Sequence, residues 1–318
     1  MKNCYKPEGA RINTSENQEI LSSVSALEHA MACETIVEGL VTLCDGDLRL
    51  HVDLGCAEGI IEPDEALYCR HGEERKDIAI ITRVGKPVAF VIRRIEVQGK
   101  KTVAELSRRR AQELCLHHYL QALHAGDLIE AKITHLESFG AFLDIGCGVS
   151  SLLSIDCISV SRISHPRERL TCGETLTVAI KTVDLENERI YVTLRELLGT
   201  WEENAQSFQA GQTVTGIIRS VESYGVFIEL APNLAGLAEI REECAEDIKK
   251  KIGKCVAVYI KSIVPERMKI KLILIDTCCA QKTPKALRYY IDPSTTSHLS
   301  HWVYSPEKAK RIIETRFE

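Results

Sequence analysis

The chain has 318 residues, of which 45% are hydrophobic and 27% charged, with a net charge of −5. That length calls for two to four domains rather than one small core, and the acidic balance excludes a protein that coats nucleic acid by bulk positive potential. No apolar run is long enough for a membrane span or a secretion signal core. Thirteen scattered cysteines with no Cys-x-x-Cys pair read as reduced thiols filling core positions in the cytoplasm.

Residues 1–32 read as an N-terminal helical or flexible segment. It begins loosely, then Ser15 to Gln18 fits a capping box ahead of Ile20, Val24, Leu27 and Met31 at helical spacing. Residues 33–105 form a first strand-rich unit, built from Val37–Val41, His51-Val52-Asp53-Leu54-Gly55 and Gly85–Ile95. Its charge is lopsided, with 13 acidic and 8 basic groups over residues 33–98. A connector at 106–124 then turns helical, with Leu106, Leu114, Leu116, Leu120 and Leu123 as candidate buried positions. Arg108, Arg109 and Arg110 near its start oppose the helix dipole, so they are expected on a solvated face or against an external anion.

Residues 125–196 and 210–276 are two copies of one unit. Gly126–Gly146 lies over Gly211–Ala231 without gaps, and Gly173–Lys181 over Gly253–Lys261. Each copy reads as five short strands, near the lower size limit for an independent core. Both contain Glu-Ser-aromatic-Gly-aliphatic-Phe-aliphatic-acid: Phe139-Gly140-Ala141-Phe142 in one, Tyr224-Gly225-Val226-Phe227 in the other. The chain holds only 6 Phe, 9 Tyr and 2 Trp, so four aromatics at equivalent repeat positions point to a shared use. An aromatic pair on a small sheet is a platform on which unpaired bases can stack, and the intervening glycine permits a bend that aims the rings outward. The first unit replaces the pair by Leu48 and His51.

Basic residues lie near these stretches. Lys269 and Lys271 share one strand face by alternation, and Arg219, Lys261 and Arg267 are candidates for the same patch. Arg162, His165, Arg167 and Arg169 precede Gly173, where they can line the edge of the second unit's cleft. A second connector helix is expected at 197–209, with Trp201 as interdomain packing. The tail, 277–318, is basic and aromatic, irregular from Tyr289 to Tyr304, with a helix started by Ser305-Pro306-Glu307 and running to about Arg316. Cys115, His117 and His118 form half a metal site with no second half in view. No Gly-rich phosphate loop or nucleophile motif is present, so no enzyme activity, catalytic residue, metal or cofactor is expected.

The string Gly126–Arg195 resembles the RNA-binding domain of ribosomal protein S-one. The carrying residues are Phe139-Gly140-Ala141-Phe142-Leu143-Asp144, Gly173, and Asp184 followed by Arg189-Ile190-Tyr191-Val192. The third unit repeats the pattern with Tyr224–Glu229, Gly236-Leu237, Gly253 and Lys269–Leu272. The resemblance extends over about residues 33–276 and is similar to the multi-repeat S-one-like proteins of firmicutes. It implies a mainly β chain of three tandem five-stranded OB-fold barrels joined by helical connectors. It further implies a stacking face of Phe139, Phe142, Tyr224 and Phe227, with Asp184 and Arg189 alongside in the second unit and Lys269 in the third. A histidine usual in that face is replaced by Glu62, Ser154 and Glu239, and a carboxylate there repels phosphate. The implied partners are single-stranded RNA, mRNA above all, and the small ribosomal subunit, for a monomer acting in translation. An alternative is an adaptor docking the ribosome, RNA polymerase or a nuclease through the acidic first unit and the tail.

Overall fold

The computed structural model describes residues 5–70, 74–99, 101–239, 245–276 and 287–317. Two short helices come first, α1 (Ser15–Leu21) and α2 (Val24–Ala32). The cap lies one residue before the expected Ser15: the Thr14 hydroxyl accepts the Asn17 N–H at 3.3 Å. The periodic stretch splits in two because Ser22 turns its hydroxyl to the Glu19 carbonyl while Ser23 caps the next helix at Ala26. Leu27 and Ala30 of α2 are buried against the first barrel.

That barrel comprises β1 (Val37–Cys44), β2 (Leu50–Asp53), β3 (Glu58–Ile61), the short α3 (Asp77–Ile81), β4 (Pro87–Gln98) and β5 (Lys101–Ser107). The connector α4 (Arg108–Ala122) leads to β6 (Leu128–Glu137), β7 (Gly140–Asp144), β8 (Ser150–Ser154), β9 (Thr175–Asp184) and β10 (Arg189–Thr193). After α5 (Trp201–Ala205) come β11 (Thr213–Glu222), β12 (Gly225–Ala231), β13 (Leu234–Ala238), α6 (Ala245–Lys249), β14 (Cys255–Val264) and β15 (Lys269–Asp276). All three sheets close in one order, first-second-third-fifth-fourth, and only the third and fifth strands pair in parallel. These are tandem OB-fold barrels.

Closure of so few strands needs strong coiling, and the strands obtain it from bulges at repeated places. The first strand skips one residue against the second at Thr42, Thr134 and Arg219. The fourth skips against the fifth at Arg93, Lys181 and Lys261. Inward positions are aliphatic: Val52, Ile61 and Leu106 in the first barrel, Ile133, Leu143 and Ile190 in the second, Ile218, Ile228 and Ile270 in the third.

From residue 5 onward the N-terminal segment is not loose. It is wedged between the first two barrels by Glu8, which is 6% exposed. Its carboxylate accepts from Arg108 Nε at 2.7 Å and Nη2 at 3.0 Å and from the Ala89 N–H at 3.2 Å. Its own N–H donates to Asp144 Oδ2 at 2.7 Å. Burial and the neighbouring Glu8 carboxylate push the Asp144 carboxyl up to about 7, against three backbone N–H donors that oppose the rise. Of the arginine run at the start of α4, Arg108 is buried on Glu8, while Arg109 and Arg110 lie on a partly solvated face, paired with Glu65 at 2.8 Å and Glu34 at 3.2 Å.

The second and third barrels are joined by a loop of the second, residues 159–169. The Val160 N–H donates to Asn233 Oδ1 at 3.0 Å, and Asn233 Nδ2 donates to the carbonyls of Arg195 and Gly199 at 2.7 and 2.8 Å. Trp201, Trp302 and Tyr304 complete the third barrel's core. The expected tail helix does not form. Ser305 Oγ donates to the Arg311 carbonyl and accepts the Ile313 N–H, folding 306–312 back so that β17 (Glu314–Arg316) pairs with β16 (His301–Val303). The adjacent Cys278 and Cys279 and the start of the tail lie outside the described residues.

Candidate nucleic-acid interface

Each ring pair begins at a strand edge. Phe139 directly precedes β7 and is 53% exposed; Tyr224 directly precedes β12 and is 61% exposed. Phe142 and Phe227, three residues on, are half-buried on the outer face. The rings meet edge to face, with centroids 6.0 Å apart at 87° in the second barrel and 6.1 Å at 89° in the third. The intervening glycine is needed for close approach: a Cβ on Gly225 would stand 2.6 Å from the Ala238 carbonyl oxygen, and one on Gly140 would overlap the Leu153 carbonyl oxygen. The bend between the rings is thus set by the neighbouring strand, which leaves no room for a side chain.

Strand register carries each face onward from its second aromatic. Phe142 lies opposite Leu152, which pairs with Tyr191, which pairs with Thr182. In the third barrel the same row reads Phe227, Leu237, Lys271, Ser262. In the first it reads His51, Ile60, Glu105, Arg94. Tyr191 thus joins the second barrel's face, half-buried; the alternation of Tyr191 with the buried Ile190 and Val192 is the signal that marks it.

The charged candidates fall in three groups. Lys271 enters the Phe227 row, and Lys269 is exposed two residues earlier on the same face, opposite Val264. Asp184 and Arg189 are cross-strand neighbours at the end of the second barrel's face. The Asn187 side chain and N–H donate to Asp184 and hold its carboxyl below the usual range. Arg219 differs. It is the bulge residue of β11, its side chain is 6% exposed, and it pairs with Glu229 at 2.6 Å and with Glu168. Arg169 of the second barrel pairs with the same Glu229 carboxylate at 2.6 Å. Arg219 is therefore part of an ion network that links the two barrels, not an outward-facing cation.

This network fixes a wall beside the third barrel's rings. A cavity of about 380 Å³ is lined by Tyr224 and Phe227 on one side and by Val160–Arg162 of the second barrel on the other. The first barrel's face has other chemistry. His51 takes the place of the second aromatic and is held by Glu58 at 3.0 Å and Asp45 at 3.3 Å. The Glu58 carboxylate, then Asp45, raise its pKa against the effect of burial.

Residues 123–195 match the family model of the S1 RNA binding domain. The second barrel is similar to an S1 RNA-binding domain. Curated relatives include the small ribosomal subunit protein bS1 of Staphylococcus aureus (strain COL), 32% identical over 183 residues, covering 56% of this chain and 45% of that protein. The bS1 of Leuconostoc lactis is 31% identical over 188 residues, covering 56% and 44%. The chain spans about half the length of these relatives. A solved multidomain protein with nucleic acid binding domains from Streptococcus pneumoniae aligns over 76% of this chain and 73% of that one, at 15% identity and a TM-score of 0.24. The first and third barrels repeat the second barrel's strand pairings. Those pairings place Tyr224 and Phe227 where the second barrel carries Phe139 and Phe142.

Proposed function

We propose that the protein holds single-stranded RNA across the second and third barrels, bases stacking on Phe139 and Phe142 and on Tyr224 and Phe227. The observation that carries this reading is the pair of matched edge-to-face ring platforms, each with one ring more than half exposed. Stacking contributes roughly 1–3 kcal/mol per base and tolerates any base. Two tethered sites gain on the order of 10²-fold through effective concentration, and the ion network between the barrels limits the freedom that would dilute this gain. Lys269, Lys271 and Arg189 supply phosphate contacts and make binding salt-sensitive. The family match supports mRNA handling in translation, on the small ribosomal subunit in the cytoplasm, as the setting.

The test is binding of a pyrimidine-rich RNA of about 20 nucleotides at about 100 mM salt to wild type and to Phe142→Ala/Phe227→Ala. Weakening of at least tenfold, about 1.4 kcal/mol, is expected; equal affinity would refute stacking.

The first barrel supports a second role. Its face carries His51 between two carboxylates, and Glu105 where the other barrels have Tyr191 and Lys271. Such a face suits a protein partner better than RNA, which makes this barrel an adaptor. Capture of partners from lysate treated with ribonuclease separates the two roles: partners retained support the adaptor, and loss of all of them leaves RNA binding alone.

A further inference from the structure

The cavity beside Tyr224 and Phe227 has a neighbour. A second cavity, of about 430 Å³, lies on the other side of the same loop and is lined by Ile155, Ile163, Trp302 and Ile313 among others. The two share Val160 and Arg162. Arg162 therefore stands on the rim between them. It is exposed and, among the described residues, has no hydrogen-bond or ion-pair partner. The other arginines lining the two cavities are engaged: Arg219 by Glu229 and Glu168, Arg195 by Glu196. Each cavity also contains a carboxylate, Glu222 in the first and Asp156 in the second.

This arrangement sorts the parts of a nucleotide strand by charge. A phosphate is repelled from either cavity by its carboxylate and attracted to the shared rim by Arg162. An uncharged base finds an aromatic wall in the first cavity and an aliphatic and indole wall in the second. Trp302 is 6% exposed, and its indole N–H is buried with no acceptor among the described residues, so a base carbonyl that reached it would satisfy a lone donor. The loop carrying Arg162 is held on both sides, by the Val160 N–H to Asn233 and by Arg169 to Glu229, so the rim is preformed.

We propose that the junction of the second and third barrels is a dinucleotide site in which Arg162 binds the phosphate between two consecutive nucleotides, one base entering each cavity. The proposal rests on the single-stranded RNA reading above and assigns that strand a path between the two barrels. It makes Arg162 and Trp302 contact residues that neither barrel alone provides.

The test uses the full chain with two small probes, uridine and the dinucleoside monophosphate UpU, followed by NMR line shifts. UpU adds one internucleotide phosphate and one base. Wild type is expected to prefer UpU over uridine by roughly tenfold, and Arg162→Ala to lose most of that preference while Arg162→Lys keeps part of it. With a longer RNA, Arg162→Ala should lower the slope of log affinity against log salt by about 0.7, as for one phosphate contact on a single strand. If Arg162→Ala leaves the UpU preference and the slope unchanged while Phe227→Ala weakens binding, the dinucleotide site is overturned and the stacking reading stands. If neither substitution weakens binding of any probe, the stacking reading itself fails and the dinucleotide site with it. Because Arg162 is exposed, its variants fold, and a matching thermal melt checks this directly.

Discussion

Glu229 offers the sharpest test of how the second and third barrels are joined. It is 6% exposed and sits between Arg169 Nη2 and Arg219 Nε, each at 2.6 Å. Glu229→Gln keeps the shape but leaves two almost buried guanidinium groups facing a neutral amide, with Arg219 still held by Glu168. Removing one partner of a buried ion pair costs about 3–5 kcal/mol, and one retained partner argues for the lower figure of about 3. For a domain of 60–100 residues each kcal/mol moves the melting temperature by roughly 4–8 °C, so the third barrel's transition should fall by about 12 °C or more. The chain has only two tryptophans, Trp201 and Trp302, and both lie in the third barrel's core. Tryptophan emission therefore reports that barrel selectively, which avoids treating a three-barrel chain as a two-state system. A second variant, Glu229→Gln with Arg169→Met, removes both ends of the interdomain pair and should recover part of the loss, because a neutral pair carries no stranded charge. A fall below about 4 °C for the single variant, or a double variant no better than the sum of its parts, would refute the assignment of the network as a barrel-to-barrel link.

Three further outcomes follow from the geometry. Gly225→Ala places a methyl group 2.6 Å from the Ala238 carbonyl oxygen, so the strand must shift; a loss of about 1–3 kcal/mol in the tryptophan-monitored melt is expected, with weaker RNA binding through Tyr224, and a neutral effect would contradict the close approach. Asp144 titrates near 7 in the folded chain against 3.8 for an unperturbed aspartate, so the native state holds a proton that the unfolded chain has released; its contribution is complete below about pH 4 and disappears as pH rises through 7, and urea midpoints read by circular dichroism should show that fall, flattened in Asp144→Asn. Lys271→Ala should leave the melt unchanged and reduce the salt slope of RNA binding by about 0.7, an unchanged slope placing the strand off the Phe227 row.

The repeat and its ring pairs were legible because they are local. Strand alternation, turn glycines and the aromatic-Gly-x-Phe spacing all operate over a few residues, and the barrels that form have these residues at strand starts and on outer faces. What escaped reading depends on distant partners. Arg219 reads as one more strand cation until the bulge at that residue and the loop carrying Glu168 and Arg169, some 50 to 60 positions away, are seen together. Arg108 and Glu8, separated by 100 positions, show no pairing in one dimension. Tyr191 needed the parallel register of β8 with β10 to join Phe142. The tail's Ser-Pro-Glu start fits a helix by local rule, yet Ser305 uses its hydroxyl to close a loop between two strands, a competition that only the pairing of Trp302 with Thr315 decides.

The wedge at Glu8 also has a meaning for biosynthesis. A ribosome makes the chain from its N-terminus, and Glu8 leaves the exit tunnel long before Asp144, the residue 136 positions later whose carboxylate receives its N–H. Until β7 is in place, the Glu8 carboxylate can already meet Arg108 and the Ala89 N–H, but the Glu8 N–H has no Asp144 to receive it, and the first barrel stays an unattached bead. Completion of the second barrel is then the event that welds two beads into one body, so a translational pause before Asp144 would prolong the interval in which they swing freely.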